Sequence, residues 1–467
     1  MEKILSGVKN IHFIGIGGIG MSGLALLLKD KGFRVCGSDI QDSPTVAMLR
    51  REGIDIFIGH RKENIAPDTN LVTYSSAIKD DNSELIEAGC RGLTILKRGE
   101  LLGLLTWDKK TIAVAGSHGK TTTTAFTGYL LTALGYKPTV FVGGVPLNYS
   151  RSAWWGDEYF VIETDESDAS FLYYNPLVSL ITNIDAEHLD YYKNIENLRA
   201  GFQKFAYQTK GKVIGWGEDP YLRDIIVKAD GWTYGFSDSN KFRADDFSFD
   251  GRFSNFSFFI DNKPVSRVKI PLLGEHNALN SLAVLGFFHY LGEDLARVID
   301  FMADFKGTKR RFQIKEVVQQ VTFVDDYAHH PSEIQAVLKA ARLLNPRRLV
   351  AIFQPHRFSR AKALCGEFGS CFSCADEVIV TDIYSACEKE IEGLSGHILA
   401  GEIKKKSCKS VKYVPKDKLI KTVPLYLEEG DIVIGLGAGD INILMDGILE
   451  EFKRISNNSI KNNMKEI

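Results

Sequence analysis

The chain lacks a strong charge of either sign: 57 Lys and Arg stand against 59 Asp and Glu in 467 residues, a formal net charge of −2. That balance leaves no electrostatic footprint for a protein that binds nucleic acid along its phosphates. Cysteine is sparse and irregular. The seven, at positions 36, 90, 365, 371, 374, 387 and 408, form no disulfide framework and fit a reducing compartment. Cys371 and Cys374 make a lone C-x-x-C without the second pair a zinc site needs; two helical cysteines facing a core explain them better. No short repeat is present. Long apolar runs are absent with one exception. Residues 11–28 carry no Lys, Arg, Asp or Glu and follow Lys3 and Lys9, which imitates a signal peptide or membrane helix. The five glycines in that run argue against both, and the protein is expected to be cytoplasmic. The lysine run Lys404–Lys406, with Ser407 and Cys408, reads as a solvated face.

What is present is ordinary globular material: 44% hydrophobic and 25% charged residues. The length suggests two to four domains. The first hundred residues alternate short units. Asn10–Ile16, Phe33–Gly37, Asp55–Ile58 and Leu71–Tyr74 read as strands, and Met21–Lys31 and Thr45–Glu52 as helices, a pattern that predicts a parallel sheet with crossover helices. A polar stretch, Trp107–Lys110, marks a boundary. Tyr159–Glu163, Val178–Thr182 and Lys212–Trp216 predict further parallel strands. Lys241–Ile270 alternates Phe with polar residues (Phe247, Phe253, Phe256, Phe258). It has turn signals at Asp250-Gly251 and Asp261-Asn262, which predicts a small antiparallel insertion. From Lys309, strands at Thr322–Asp326, Arg348–Phe353, Glu377–Thr381 and Asp431–Gly435 with a helix at Ser332–Leu344 predict another parallel α/β unit. The polar tail Ile455–Ile467 is expected to fray.

The segment richest in chemistry is Gly116-Ser-His-Gly-Lys-Thr-Thr122, directly after the apolar run Thr111–Ala115. A strand feeding a glycine loop and a helix aims backbone N–H groups and positive potential at phosphate oxygens. Lys120, expected on an exposed loop, would reach terminal phosphates, and Thr121 would hold Mg²⁺. The general pattern G-x-x-x-x-G-K-[ST] wants glycine where Val114 stands; here the first glycine is Gly116, so the loop is shorter. A second glycine motif, Gly15-x-Gly17-x-x-Gly20, follows a strand and precedes a helix, with Asp39 19 residues past Gly20. It suits a dinucleotide or nucleotide sugar, although a structural tight turn uses the same residues. Two phosphate-binding loops in one chain suggest a protein that joins or transfers something between two phosphorylated ligands.

Four further segments cluster polar chemistry. Glu163–Phe171 and Thr182–Asp190 each follow a strand and are rich in acids, which would place them at the carboxyl edge of an open sheet. Glu163 with Thr121 suits one nucleotide-bound Mg²⁺, whereas helix-capping acids would look similar. Asn277 and Asn280 lie one turn apart and could meet adenine's edge; capping and packing is the simpler account on residue type alone. Asp325–Pro331 ends one strand and Gln354–Arg360 the next. His329, His330, His356, Arg357 and Arg360 thus gather on two adjacent strand ends, with Arg357 and Arg360 able to clamp a carboxylate.

These pieces in this order resemble the Mur ligase family of peptidoglycan synthesis. The matching segments are Gly15–Met21, Gly116–Thr124, Glu163–Phe171, Thr182–Asp190, Gly274–Asn280, Gly307–Phe312, Asp325–Pro331 and Gln354–Arg360. The Asp-Tyr-Ala-His-His-Pro, Gln-Pro-His-Arg and Gly-Ile-Gly-Gly-Ile-Gly-Met segments are most similar to the branch that joins L-alanine to UDP-N-acetylmuramate. The branch that attaches a recycled tripeptide shares some of them. The resemblance implies an α/β fold of three domains. Residues 1–108 would form a Rossmann-like UDP-sugar domain. Residues 109–308 would form a central P-loop-type ATPase domain with the antiparallel insertion, and 309–467 a Rossmann-like amino-acid domain.

The activity implied is ATP-dependent amide formation through an acyl phosphate on the sugar's lactyl carboxylate. By the same resemblance Gly116, Ser117, His118, Gly119, Lys120, Thr121 and Thr122 hold ATP, Asn277 and Asn280 its adenine and Asp326 its ribose. Thr121 ligates one Mg²⁺, and Glu163 with His188 the other; Arg311 reaches toward phosphate. Gly15, Gly17, Gly18, Gly20, Asp39 and Ser75 face the sugar nucleotide. Tyr327, His329, His330, His356, Arg357 and Arg360 face the remaining substrate, with Arg357 or Arg360 on the alanine carboxylate. The implied partners are these small substrates alone, without nucleic acid or membrane, in a monomer or homodimer. Glu187 stands where the family usually has Asp, and Cys387–Ile391 replaces a Gly-Glu-x-Pro-Ile stretch. An NAD(P)-dependent oxidoreductase, read from Gly15–Gly20, leaves Gly116–Thr124 without a role.

Overall fold

A computed structural model describes residues 2–407 and 410–463. Among them the chain forms two compact units. The first takes residues up to Phe247 with Asn255–Ile270 and Ala278–Gly307; the second takes Ser248–Ser254, Pro271–Asn277 and the chain from Thr308 onward.

The first unit opens with a five-stranded parallel sheet: β1 (Asn10–Ile14), β2 (Arg34–Asp39), β3 (Asp55–Ile58), β4 (Leu71–Tyr74) and β5 (Thr94–Lys97). The order is β3-β2-β1-β4-β5. Ile11, His12, Phe13 and Ile14 of β1 are all buried, the continuous burial expected of a central parallel strand covered on both faces. The winding reverses at β1, so a crevice opens past the carboxyl ends of β1 and β4, the usual ligand position in open α/β sheets. The predicted strand through Ile16 ends at Ile14. Gly15 has φ +78°, and its N–H and that of Ile16 both turn to the Ser38 carbonyl. The apolar run 11–28 is therefore a strand, a glycine turn and part of the helix Ile19–Asp30, and no described helix is long and apolar enough to cross a membrane.

The central sheet has ten strands: β6 (Lys110–Ala115), β7 (Thr139–Phe141), β8 (Ala153–Trp154), β9 (Tyr159–Glu163), β10 (Val178–Ile181), β11 (Lys212–Trp216), β12 (Trp232–Gly235), β13 (Phe242–Phe249), β14 (Ser254–Ile260) and β15 (Lys263–Ile270). Their order is β15-β14-β13-β12-β11-β10-β6-β9-β7-β8. Strand β6 lies between β9 and β10, in parallel with both. The loops after β9 and β10 therefore flank the glycine loop after β6. The two-residue connection Asp261-Asn262 makes β14 and β15 an antiparallel hairpin, as the turn signals predict, while β13 joins β12 in parallel.

The sheet of the second unit comprises β16 (Gln313–Val318), β17 (Val321–Asp326), β18 (Arg348–Phe353), β19 (Glu377–Val380), β20 (Ser410–Tyr413) and β21 (Asp431–Leu436), in the order β16-β17-β21-β18-β19-β20. Two expectations are corrected here. Strand β16 runs antiparallel to β17, so the unit is not wholly parallel. The strands that end in Asp326 and Phe353 are not adjacent, because β21 pairs with both and separates them. The tail is corrected as well: residues 455–463 continue the helix Ile441–Asn463. Ile441, Leu444, Met445, Ile448, Leu449 and Phe452 form a buried stripe at helical spacing that anchors it against the sheet. Residues 464–467 lie outside the described residues, as does Cys408. Cys371 closes the helix Cys365–Cys371 and is buried. Cys374 sits beyond that helix in a turn rather than in it, although it too packs on the core.

Candidate active site

The glycine loop after β1 is held from within. Asp39, the last residue of β2, accepts the Gly17 N–H at 2.8 Å through Oδ2 and the Gln41 N–H at 3.1 Å through Oδ1. A side chain at Gly17 would meet that Oδ2 at 2.9 Å. Ser75, just past β4, lies against Gly15, where an added Cβ would be 3.4 Å from its own. The predicted sugar-nucleotide residues thus meet at the reversal point of the sheet. Beneath them is a buried polar cluster that sequence reading missed. Glu84 accepts Ser38 Oγ at 2.6 Å and Asn64 Nδ2 at 2.6 Å, and lies 3.0 Å from His12 Nε2, with both Glu84 and His12 fully buried. Burial would raise the Glu84 carboxyl, but His12, Ser38 and Asn64 hold it below the usual carboxylate range.

The loop after β6 turns through two glycines in the left-handed region. Gly116 has φ +134° and Gly119 φ +83°. A Cβ on Gly116 would lie 2.1 Å from Thr182 Oγ1, and one on Gly119 would lie 2.6 Å from Asn280 Oδ1, so neither position admits a side chain. Two N–H groups expected to face phosphate are engaged by the neighbouring loop: Ser117 donates to the Asn183 carbonyl at 3.0 Å and His118 to Asn183 Oδ1 at 2.8 Å. His118 Nε2 in turn lies 2.7 Å from Asp185 Oδ2. The first turn of the helix Lys120–Ala133, which includes Thr121 and Thr122, follows directly.

Lys120 is not on an exposed loop. It begins that helix, and its side chain, 16% exposed, folds back to donate to the Gly116 carbonyl, to the Ser117 carbonyl at 3.1 Å and to Glu166 Oε1 at 2.6 Å. Glu166 lies in the acidic loop after β9. Burial pushes its carboxyl up to about 7 against the pull of Lys120, and among the described residues its buried Oε2 has no partner. Burial would lower the Lys120 ammonium, yet Glu166 keeps it above its ordinary value. Thr121 Oγ1 donates to Glu163 Oε1 at 2.8 Å, and the Gly143 N–H reaches Glu163 Oε2 at 2.6 Å. His188 sits with other acids, 3.8 Å from Glu166 Oε1 and 4.0 Å from Glu187 Oε2. One ligand atom each of Glu166, Glu187 and His188 lies within 4.8 Å of the others. Of the predicted metal residues, Thr121 meets Glu163, and His188 groups with Glu166 and Glu187, two acids outside the predicted set. Oxygen-rich donors of this kind fit a hard divalent cation, and the orphaned Glu166 Oε2 leaves a lone pair for one.

In the second unit, residues from both predicted strand ends come together across β21. Tyr327 stacks edge-on with His329 (ring centroids 5.4 Å apart), His329 with His356 (5.8 Å), and His356 lies parallel to Tyr384 at 5.6 Å. Arg310 and Arg311 place their guanidinium groups 4.9 and 5.2 Å from the Tyr327 ring. Arg360 Nη1 is 3.1 Å from His356 Nδ1. Burial, reinforced by the positive charge of His329, Arg360 and Arg357, pushes the His356 imidazole down to about 3, so it is neutral near pH 7. Arg357 is exposed and strained, with φ +68°, and its N–H is tied to the Tyr384 carbonyl at 2.8 Å. Asp326 is buried and accepts the Phe312 and Ala328 N–H groups at 2.6 and 2.7 Å; burial raises its carboxyl to about 6. His330 caps the helix Pro331–Arg342, with its N–H on Glu333 Oε2 at 3.3 Å. Glu388, inside the divergent segment Cys387–Ile391, accepts Ser359 N at 3.0 Å and Ser359 Oγ at 2.7 Å, which ties that segment to the loop of Arg357 and Arg360.

Asn277 donates to the Leu273 carbonyl at 2.9 Å, one turn of the helix Glu275–Leu291 before Asn280. Three residues of consequence escaped the sequence reading: Glu166, Asn183 and Arg98. The first two lie inside segments already marked as acid-rich loops, but which side chain points at Lys120 or at the glycine turn depends on strand order. Nothing local marks Arg98.

Three family models match in sequence: the Mur ligase catalytic domain over residues 10–110, the Mur ligase middle domain over 114–288 and the Mur ligase glutamate ligase domain over 310–439. The chain is 41% identical over 439 residues to the UDP-N-acetylmuramate–L-alanine ligase of Carboxydothermus hydrogenoformans, covering 92% of this chain and 94% of that protein. The UDP-N-acetylmuramate-alanine ligase MurC of Thermotoga maritima superposes with a TM-score of 0.84 at 32% identity, over 95% of this chain and 99% of the other. A murein peptide ligase of Psychrobacter arcticus superposes with a TM-score of 0.69 at 25% identity, over 95% and 98%. With glycine loop, phosphate loop and histidine–arginine cluster all lying inside the matched regions, the chain belongs to the Mur ligase family.

Proposed function

We propose that the protein joins L-alanine to the lactyl carboxylate of UDP-N-acetylmuramate, driven by ATP. The observation that carries this reading is the 41% identity to alanine ligases across 92% and 97% of the chain. The recycled-tripeptide alternative is less supported, since the murein peptide ligase superposes with a TM-score of 0.69 against 0.84 for the alanine ligase. The oxidoreductase reading leaves the Gly116–Thr122 loop unused.

The chemistry has two steps. The lactyl carboxylate attacks the γ-phosphorus of ATP, ADP leaves, and an acyl phosphate forms. The alanine amine then attacks the acyl carbon, and the tetrahedral intermediate expels phosphate and yields the amide. A carboxylate approaching a triphosphate meets charge repulsion, which fixed cations must offset. Lys120 supplies one such charge after exchanging Glu166 and its loop carbonyls for phosphate oxygens. Mg²⁺ bound by Thr121 with Glu163, and by His188 with Glu166 or Glu187, would neutralise further phosphate charge. Arg311 is assigned to phosphate stabilisation, Asp326 to the ribose, and Asn277 and Asn280 to adenine. The residues around Gly15–Gly20, Asp39 and Ser75 would hold the sugar nucleotide. Neutral His356, with Tyr327, His329, His330 and Arg360, would shape the alanine site, and Arg357 or Arg360 would bind its carboxylate. Domains at 1–108, 109–308 and 309–467 would serve the sugar nucleotide, ATP and alanine in turn, in a cytoplasmic monomer or homodimer.

The test is phosphate release with ATP, Mg²⁺ and UDP-N-acetylmuramate against a panel of amino acids and the L-Ala-containing tripeptide. L-alanine should give the highest kcat/KM. Preference for the tripeptide, or no release with any acceptor, overturns the reading.

A further inference from the structure

Arg98 is the first residue of the helix Arg98–Leu105, immediately after β5. Its Nη2 donates to Asp165 Oδ2 at 2.7 Å, a contact between residues 67 positions apart. Nη1 points the other way, against the glycine loop: a Cβ built on Gly20 would lie 2.1 Å from it. Among the described residues no protein acceptor takes Nη1. The backbone that carries Arg98 has little freedom to shift. A Cβ on Gly99 would lie 2.5 Å from the Ser170 Cβ, and one on Gly103 would lie 3.0 Å from the Tyr173 Cβ and carbonyl oxygen, so the helix is seated directly on the turn Ser170–Tyr173. That turn follows Asp165, whose carbonyl accepts the Phe171 N–H at 3.0 Å.

Asp165 is held at both oxygens, by Arg98 on Oδ2 and by Ser167 on Oδ1, with the Ser167 N–H at 3.0 Å and its hydroxyl at 2.6 Å. Burial would raise the Asp165 carboxyl, but Arg98 and Ser167 bring it down to about 2. The next residue is Glu166, which holds Lys120 at 2.6 Å. A single guanidinium thus touches both the first glycine loop and the acidic loop after β9. One nitrogen rests on Gly20, and the other reaches Lys120 through Asp165 and Glu166.

We propose that Arg98 binds the diphosphate of the sugar nucleotide through Nη1 while Nη2 positions Asp165, so that occupancy of the Gly15–Gly20 loop is transmitted to the Glu166–Lys120 pair at the ATP loop. The planar fork makes this possible, because its two ends donate in divergent directions while sharing one charge. A diphosphate at Gly20 draws charge from the Asp165 contact. That alters how firmly Glu166 is held and hence how readily Lys120 is released to a triphosphate. Coupling of this kind is reciprocal. The inference rests on the sugar-nucleotide assignment made above for this loop.

The test uses the full-length protein and two probes, UDP and the non-hydrolysable ATP analogue AMP-PNP with Mg²⁺, titrated by calorimetry singly and together. In the wild type, saturating UDP should change the AMP-PNP affinity by about fivefold or more. Arg98→Lys keeps a charge but not the divergent fork; it should weaken UDP by roughly tenfold or more while AMP-PNP alone binds within about twofold of wild type. Asp165→Asn should leave the two probes binding independently. Because Arg98→Ala strands Asp165, the double variant Arg98→Gln/Asp165→Asn serves as the control for folding; with a wild-type melting temperature it should show both defects. Wild-type UDP affinity in Arg98→Lys and the double variant, or coupling that survives in Asp165→Asn, overturns the proposal. A wild type that binds UDP but turns over no amino acid with UDP-N-acetylmuramate fails the ligase reading and leaves this one standing. A wild type that binds neither UDP nor UDP-N-acetylmuramate overturns both.

Discussion

Lys120 Nζ lies 2.6 Å from Glu166 Oε1 and also donates to the carbonyls of its own loop, so the ammonium after the glycine turn is already engaged by the protein itself. In the function proposed above, binding a triphosphate would exchange these contacts for phosphate oxygens. Lys120→Ala should therefore lower kcat by about two to three orders of magnitude, the scale seen when one preorganised charge-stabilising group is removed. The protein should still fold, since Glu166, already raised to about 7, can take up a proton when its partner is lost. Phosphate release and circular dichroism on the same sample check both parts; near-wild-type turnover would falsify the assignment.

Gly116 tolerates no side chain. Its φ of +134° is strained for any L residue, and a Cβ there would lie 2.1 Å from Thr182 Oγ1 and 3.0 Å from the Asn183 backbone. Gly116→Ala should push the loop away from the strand after which Asn183 lies and weaken AMP-PNP by roughly tenfold or more, while leaving UDP binding unchanged. Equal losses for the two nucleotides would point instead to global destabilisation.

Arg357 has φ +68° and an exposed side chain, a conformation retained at some cost in backbone strain. Arg357→Ala should raise the KM for alanine about tenfold or more with the KM for ATP within about twofold. Arg357→Gly should show the same KM defect yet melt higher than the alanine variant, because glycine relieves the strain. Equal effects on both KM values would remove Arg357 from the carboxylate clamp.

His356 is pushed down to about 3 by burial and by the positive groups around it. Its imidazole should remain neutral from pH 5 to pH 8, accepting the Arg360 proton at Nδ1 and carrying its own on Nε2. Heteronuclear NMR of the labelled histidines against His356→Gln measures this. A protonation midpoint above about 5 contradicts the structure.

Glu84 supports β2 and the loop that hangs from it. Glu84→Ala removes the acceptor of Ser38, Asn64 and the Arg61 N–H together and should cost about 3 kcal/mol or more in urea unfolding. The carboxyl sits below its ordinary value in the folded protein, so its stabilisation is present above the unfolded pKa of about 4.3 and is lost as pH falls through the folded one. Glu84→Gln should flatten that part of the acid unfolding profile; an unchanged profile would argue that other carboxylates dominate it.

Much of the architecture was legible because its signals are local. A β-rich run followed by glycines and a helix shows in any short window, which is why β1 with Gly15–Gly20 and β6 with Gly116–Thr122 could be read directly. The hairpin at Asp261-Asn262 was readable for the same reason. Strands β5 and β16 carry weak patterns and sit at sheet edges, where only partner strands hold them. The tail from Ile455 is polar and has no such stripe of its own; it continues as helix because the preceding stripe Ile441–Phe452 docks on the sheet of the second unit.

The candidate site divides in the same way. Residue types and spacing marked the acidic loops after β9 and β10 and the histidine–arginine segments. They could not show that β6 lies between β9 and β10, nor that β21 separates the two histidine-bearing strands while leaving His329 and His356 rings 5.8 Å apart. Glu166 was one acid among several until the sheet order aimed it at Lys120.

The sequence by itself determined where the chain makes its two glycine turns between strand and helix: glycines with forced backbone angles, a following helix, and hydroxyl or cationic side chains at set positions are local covalent facts. Only the tertiary structure decided which charges answer one another. Arg98 and Asp165, or His12 and Glu84, are far apart along the chain, and their pairing depends on strand order and on how closely glycines let helices approach. Electrostatic and hydrogen-bond energies fall off over a few ångströms, so such partnerships exist only once the fold has brought the groups together.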